Sequence, residues 1–334
     1  MLGRVLKMVC MSLFFVNVFA FASNDTAQYF LPTTVGTSAR MIALGNIEGF
    51  SNQANSVMEN PAGLYRIRKA SGSFFTTKLM DEVQYVNGAV AVRMPVGVLG
   101  LGYMGVGVNN VPYTMMENDA SEIQKTGEYF GLNKSLYKIG YQVSASRYLH
   151  FGISGDYNTY QLGKVSAKGY NADVGFILDS DALDFSFVAK NVFSSMPMKY
   201  TDNSSDLVVN GIDNSSQGKQ EKLPFQTSYS LRYSLDQVQL YGQLRTEGAE
   251  RRFVKSAGIS FNPRFLPIVH MSGGYKQTYY VRSIEAELDK EYVKGGWVVG
   301  VGLDLYNVSF DYAYEKSDAV QFDNKHYFSV GMSF

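Results

Sequence analysis

The 334-residue chain holds a single cysteine, Cys10, so no intramolecular disulfide can staple it. Proline is scarce at 8 residues, and tryptophan occurs once. Neither sign of charge is in excess. Thirty Lys and Arg stand against thirty Asp and Glu, which excludes the basic surplus by which nucleic-acid binders neutralise phosphates. Charged residues make up 18 %, short of the usual quarter of a soluble domain. Beyond residue 22 no apolar run approaches the roughly 18 residues of a membrane-spanning helix. The three histidines, His150, His270 and His326, are scattered without metal-ligand spacing, so no metal, cofactor or catalytic centre is expected.

Present instead are 24 Tyr, 22 Phe and 32 Gly. Residues 1–22 read as a secretory signal peptide. Arg4 and Lys7 form its positive end, Met8 to Phe19 its apolar stretch, and Ala20-Phe21-Ala22 a cleavage site. The rest of the chain is then exported, and Cys10 leaves with the signal.

From residue 70 onward, apolar and polar residues alternate with the period of a strand whose two faces meet different surroundings. Phe328, Val330, Met332 and Phe334 share one face of the last segment, opposite Tyr327, Ser329, Gly331 and Ser333. The polar faces carry Gly, Ser, Asn and isolated charges, among them Lys138, Asp156, Asp173, Lys190, Arg232, Arg245 and Asp304. Such a pattern predicts a polar barrel interior and an apolar exterior in lipid. Alternation alone leaves a soluble β-sandwich open. Three features favour the barrel: a terminal Phe334 ending an alternating strand, aromatics clustered at strand ends, and short connections alternating with long ones. Tyr148, Phe151, Tyr233, Tyr306 and Phe334 are assigned to one rim, and Tyr157, Tyr160, Tyr279, Tyr280, Tyr314 and Tyr327 to the other.

The pattern predicts an all-β, antiparallel transmembrane barrel of 14 strands over 70–334. The strands fall at 70–79, 83–94, 97–108, 135–147, 149–161, 166–178, 183–192, 223–235, 237–247, 251–261, 267–279, 295–304, 306–315 and 325–334. The long connections are 109–134, 193–222 and 280–294. With an even strand count both termini face the periplasm, short turns lie on that side, and the long loops face outward.

Residues 23–69 do not alternate and are too few for an independent domain, so they are expected to pack against or inside the barrel. Gln53–Glu59 suits a short helix that Asn60-Pro61 ends, because the residue before proline avoids helical angles. Pro61 and Gly63 suit a tight turn with Leu64 as an apolar peg.

Ala39-Arg40-x-x-x-Leu44-Gly45, a small-residue helix, Asn60-Pro61-Ala62-Gly63-Leu64 and then a barrel resemble the FadL superfamily of outer-membrane proteins, and within it the shorter PorV-like and FadL-like members. The resemblance covers residues 23–334. Many relatives carry an acidic pair before the small-residue helix, where this chain has Phe50-Ser51-Asn52-Gln53. The resemblance implies an N-terminal hatch over 23–69 plugging the barrel. It also implies passive uptake of long-chain fatty acids or similar hydrophobic compounds, with sideways release through a gap at a kinked strand. The glycine-rich third strand, with Pro95, Gly97, Gly100, Gly102, Gly105 and Gly107, is the candidate for that gap. The glycines would equally make room for the hatch or for bulky neighbours. Val111, Tyr113, Met115 and Met116 in the first long loop are candidates for ligand capture, although packing on the rim accounts for them too. The alternative is a PorV-like scaffold that works with a protein secretion system. Expected partners are therefore outer-membrane lipid and a hydrophobic small molecule, or a secretion-system protein, but not nucleic acid.

Other motifs lack their required context. Gly100-Leu101-Gly102-Tyr103-Met104-Gly105 has dinucleotide-site spacing but no helix after it. Asp202-Asn203-Ser204-Ser205-Asp206 lacks the glycine and distal glutamate of a calcium loop.

Overall fold

The computed structural model describes residues 35–334 except 80–81, 117–122, 164, 181, 194–197, 203–219, 222, 248–251, 283–289 and 317–323. The signal segment 1–22 and residues 23–34 lie outside the described residues. Among the described residues the barrel has sixteen strands. The first seven are β1 (Ala70–Leu79), β2 (Val83–Arg93), β3 (Val98–Met116), β4 (Ile123–Ser144), β5 (Leu149–Leu162), β6 (Val165–Leu178) and β7 (Leu183–Lys190). Next come β8 (Met198–Asp202), β9 (Gln220–Glu221), β10 (Gln226–Leu235), β11 (Val238–Glu247) and β12 (Arg252–Phe261). The last four are β13 (Val269–Arg282), β14 (Lys290–Leu305), β15 (Val308–Glu315) and β16 (Lys325–Ser333).

Fourteen of them close into an antiparallel ring. Strands β1 to β7 pair in sequence, β7 pairs with β10, the order continues to β16, and β16 returns to β1. Closure leaves no sheet edge, the condition for a sheet that meets lipid. The remaining two, β8 and β9, add to the wall above β7. Strand β6 pairs with β7 over Val174–Leu178 and with β8 over Val165–Lys168.

The outer face is apolar. Val90, Leu101, Ile139, Ile153, Leu231, Leu240, Ile259, Val301 and Phe310 are all well exposed on it. Residues one position away along the same strands, such as Ala89, Lys138, Ser154, Ser230 and Ser309, are buried inside. An exposed apolar belt around the whole ring is far larger than a water-soluble monomer carries, and it defines a membrane-spanning barrel. Aromatics flank the belt. Tyr148, Phe151, Tyr233, Tyr306 and Phe334 are exposed towards the short-turn end. Towards the other end Tyr103, Tyr137, Tyr157 and Tyr170 line up across four neighbouring strands, with ring centroids 5.0–6.1 Å apart.

The short turns are tight. Asp236 and Tyr306, each the first residue of a two-residue turn, adopt left-handed φ values of 31° and 54°. The long connections differ from the sequence reading. Strands β3 and β4 continue to Met116 and Ile123, and β13 and β14 to Arg282 and Lys290, so most of 109–134 and 280–294 is hairpin rather than loop. Beyond the membrane both strand faces meet water, so the ladder persists after the alternation that betrays it has stopped. Within 193–222, β8 and β9 add short strands. Tyr327 is a second correction: it is buried in the lumen, where its hydroxyl donates to Glu315 Oε2 at 2.7 Å, and it is not a rim residue.

Candidate functional site

Residues 35–69 lie inside the ring and reach the inner face of every one of its fourteen strands. Two short helices, α1 (Ala39–Ala43) and α2 (Ser56–Glu59), and a 3₁₀ helix (Pro61–Arg66) make up the ordered part of the segment. Hydrogen bonds run to Ser71 of β1, Tyr85 of β2, Ser186 of β7, Ser228 of β10, Gln243 of β11, Ser309 of β15 and Ser329 of β16. At the other strands the wall offers a glycine where the segment presses closest. A Cβ on Gly100 would meet Leu64, on Gly140 Val57, on Gly152 the Pro61–Ala62 backbone, and on Gly175 Asn60. Gly258 and Gly274 would collide with the Leu44–Gly45 backbone, and Gly300 with Ala43.

Both motifs of the segment serve this seating. Ser38 caps α1, its hydroxyl accepting from the Met41 N–H at 3.3 Å. Helix α1 lays Ala39 and Ala43 against the wall, with Leu44 in a cluster of Met41, Ile47 and Phe50. Arg40 crosses to β14 and β15, donating to Asp304 Oδ1 at 2.6 Å and Asp311 Oδ1 at 2.9 Å. His270 Nε2 lies 2.8 Å from the same Asp311 oxygen. Gly45 ends the helix at φ 85°, a backbone state that glycine adopts without strain. Asn60 is extended, at φ −141°, as its position before Pro61 requires. The helix before it is shorter than the sequence suggests, and Pro61 opens a 3₁₀ helix rather than a single turn. The Asn60 side chain accepts from Ala62 N–H at 3.0 Å and donates to Ser186 Oγ at 2.9 Å and to the Phe187 carbonyl at 3.0 Å. Gly63 packs beside Ser56, and Leu64 is fully buried.

Two acids that the sequence reading passed over are buried in the segment. Glu48 accepts from Lys190 at 2.6 Å and Ser228 at 2.9 Å. Glu59 accepts from Thr37, from Asn55 Nδ2 at 2.9 Å and from Gly49 N–H at 3.3 Å. Burial, and after it the Glu48 charge, push the Glu59 carboxyl up to about 7 against the lowering effect of the Thr37 and Gly49 donors and of the Lys190 charge. Isolated acids in a stretch of small and apolar residues were the available signal. At the short-turn end Tyr65 stacks on His150, with centroids 3.6 Å apart and planes at 8°.

Beyond the segment, towards the long-loop end, the lumen has two characters. Strands β1–β4 and β16 present Phe75, Tyr85, Met104, Val106, Leu136 and Tyr327, all buried and in one cluster with Val57, Met58 and Leu64. Strands β4–β6 present Lys138, Asp156, Asn158, Asn171 and Asp173, with Lys138 bridging Asp156, at 3.2 Å, and Asp173. The polar interior expected from alternation therefore holds around most of the ring, from β4 through β6 and on to Ser186, Ser230, Gln243, Ser272 and Asp311 of the later strands, and is interrupted by this apolar stripe.

The glycine-rich strand is hydrogen-bonded on both sides over Val98–Gly107. Gly100 and Gly102 face inward, beneath Leu64, Val57 and Met58, while Gly105 and Gly107 face Tyr103 and Asn133 side chains. Pro95 lies in the turn before β3, and Gly97 turns it at φ 81°. The register shifts fall higher, at Val108/Val111 and Pro112/Thr114. Val111 and Tyr113 fall within the shifted stretch of β3 and Met115 and Met116 beyond it, all four in the strand rather than in a loop. Residues 203–206 of the Asp/Asn/Ser run lie outside the described residues. Among the described residues no group of His, Cys, Asp or Glu is arranged to hold a metal.

Fold and site together define a membrane-spanning, fourteen-stranded barrel whose lumen is occupied by its own N-terminal segment. Known structures share this architecture. The Pseudomonas putida toluene transporter TodX superposes with a TM-score of 0.59 at 10 % identity, covering 90 % of this chain and 99 % of that chain. A second TodX structure gives 0.56 at 11 % identity, covering 89 % and 96 %. The deltaS2S3 mutant of TodX, described as a monoaromatic hydrocarbon channel, also gives 0.56 at 11 %, covering 90 % and 99 %. At such identities the likeness establishes the fold. No family model and no curated protein matches the chain.

Proposed function

We propose that the protein is an outer-membrane channel through which small hydrophobic compounds diffuse passively, with residues 35–69 as its hatch. The observation that carries this reading is the apolar stripe of Phe75, Tyr85, Met104, Val106, Leu136 and Tyr327. Barrel interiors open to water are polar. A large apolar surface turned into the lumen has no structural purpose beyond meeting the hatch and whatever passes above it. Its continuity with Val57, Met58 and Leu64 leads a solute from the long-loop side onto the hatch itself. The shared fold supports the reading, since TodX is described as a transporter of toluene. The short turns and both ends of the barrel then face the periplasm, and the hairpins of β3–β4 and β13–β14 project outside the cell. Long-chain fatty acids remain among the solutes to be tried, and β3 remains a candidate exit if Gly100 and Gly102 are uncovered when the hatch moves.

The test is uptake of ethylbenzene by cells whose own hydrophobic channels have been deleted, with and without the protein in their outer membrane. Expression should raise the uptake rate several-fold. Met104→Asp and Val106→Asp, which set a charge in the stripe, should return it towards background while the barrel still assembles. Uptake no faster than in barrel-free cells would remove the proposal.

A further inference from the structure

A groove of about 570 Å³ lies outside the lumen, on the outer wall of β16, β1 and β2 near the long-loop end. Its lining includes Thr76, Lys78, Gln84, Val86, His326 and Phe328. These residues alternate along their strands with Phe75, Thr77, Tyr85 and Tyr327, which are buried inside the barrel. The groove therefore opens towards the membrane and not into the lumen. Strands β1 and β2 turn back at the pair Leu79 and Val83, whereas β3 and β4 run on to Met116 and Ile123. The groove thus sits where the wall is low, at the upper edge of the lipid-facing belt rather than beyond it.

Strand pairing sets the lining in two rows of different character. Lys78 and Gln84 are partners in the upper row, and His326 is beside Lys78, since the next pair along is Thr77 with Tyr327. Val86, Thr76 and Phe328 are partners in the lower row. Below them come Gly88, Phe74 and Val330, on the apolar belt. Lys78 is exposed, and among the described residues no carboxylate pairs with it. His326 Nδ1 lies 2.8 Å from the Tyr312 hydroxyl. With that hydroxyl donating, the ring proton sits on Nε2, which is then a donor. The Thr76 hydroxyl is already spent on the Tyr85 carbonyl at 3.1 Å. The upper row therefore offers an ammonium, an amide and an imidazole N–H, and the lower row offers the apolar faces of Val86 and Phe328.

We propose that this groove holds the phosphorylated headgroup of an outer-leaflet lipid. The phosphate takes the Lys78 ammonium with the Gln84 and His326 donors, and an acyl chain lies over Val86 and Phe328. A phosphate supplies acceptors alone, which is what a row of donors around one cation requires. A cation at this depth also faces the anionic surface of the bilayer, where its charge is little screened by water. A free phosphate would use only the upper row and leave the apolar row uncovered, so the two rows together favour a lipid. The inference takes from the reading above the outward direction of the long hairpins, and it does not need the channel.

The experiment titrates the purified protein, in a neutral detergent, with diphosphoryl lipid A and counts bound lipid by native mass spectrometry. The same lipid with its phosphates removed and inorganic phosphate are the comparison probes. Wild type should bind one diphosphoryl lipid A well ahead of the dephosphorylated form, and millimolar inorganic phosphate should not displace it. Lys78→Gln should weaken binding about fivefold, the worth of one lysine at an anionic membrane surface. Lys255→Gln, which removes an exposed lysine from the outer face of β12, away from the groove, should leave it unchanged. Assembly of both variants is checked by heat-modifiable gel mobility, and the wild-type ranking of the probes decides the question even if a variant does not assemble. Equal binding of both lipid forms, equal loss in the two variants, or no loss in Lys78→Gln would overturn the site. Displacement by inorganic phosphate would overturn the lipid and leave a free-anion site. None of these outcomes touches ethylbenzene uptake, on which the channel reading stands or falls separately.

Discussion

Replacing Asn60 by alanine should loosen the hatch without disturbing the barrel. Three hydrogen bonds depend on this side chain. One is the cap on Ala62 N–H, worth about 1 kcal/mol by comparison with other capping residues. The other two tie the hatch to Ser186 and to the Phe187 carbonyl of β7, at about 1 kcal/mol each. The site is fully buried, so water does not replace what is lost. The sum is about 3 kcal/mol against the seated state, or about a hundredfold more frequent opening. Hydrogen exchange of the backbone amides of Ser56–Arg66, in a nanodisc, reads that opening directly. Their exchange should accelerate by about two orders of magnitude, with the amides of β10–β13 unchanged. Asn60→Asp keeps the capping oxygen but sets a buried carboxylate oxygen against the Phe187 carbonyl, so its segment should open at least as often as that of the alanine variant. Acceleration below threefold in Asn60→Ala would show that the wall bonds do not hold the segment. Equal acceleration throughout the barrel would show that segment and barrel open as one unit.

Seating should also respond to pH through Glu59. The seated carboxyl titrates at about 7 and the released one near 4.5, so the seated state binds the proton more tightly. Its stability is full below about 4.5, falls as pH rises towards 7, and is lower by about 3 kcal/mol above that. Segment exchange corrected for intrinsic rate should therefore rise between pH 5 and pH 7.5, and Glu59→Gln should flatten the profile. Gly152→Val puts a side chain into the Pro61–Ala62 backbone and should expel that part of the segment, seen as protease cleavage near residue 61 in a barrel that still assembles. Val301 lies on the lipid face, and Val301→Arg should cost about 2–4 kcal/mol if it sits at the bilayer midplane, measured by denaturant unfolding from vesicles.

Much of the barrel is legible in the sequence because a sheet between lipid and a polar lumen must alternate. Strand β1 at Ala70–Leu79 and the short turns around Asp236 and Tyr306 are read from that pattern to within a residue or two. Its failures have one physical origin, that alternation reports the contrast between two faces and not the presence of a strand. Above the membrane the contrast vanishes, and the ends of β3 and β4 look like loop. Where the inner face of β1–β4 carries the apolar stripe, Phe75, Tyr85 and Met104 cannot be told from lipid-facing residues by pattern alone. Tyr327 was misplaced for the same reason. The hatch motifs are visible through family resemblance, but their purpose depends on partners far along the chain. Arg40 meets Asp304 and Asp311, and Asn60 meets Ser186, across separations of more than a hundred residues. The glycines of β3 illustrate the ambiguity. A strand interior rich in glycine signals close approach, and only the packed structure shows that what approaches Gly100 and Gly102 is the N-terminal segment, through Val57, Met58 and Leu64.

The central claim, that a hydrophobic solute occupies this lumen, is tested most directly by native mass spectrometry of the protein released gently from its own outer membrane. The account predicts a barrel carrying a small hydrophobic adduct, displaced when ethylbenzene is added and lost in Met104→Asp. An empty barrel bound stoichiometrically to another protein would contradict it and favour a scaffold whose lumen is closed to solutes.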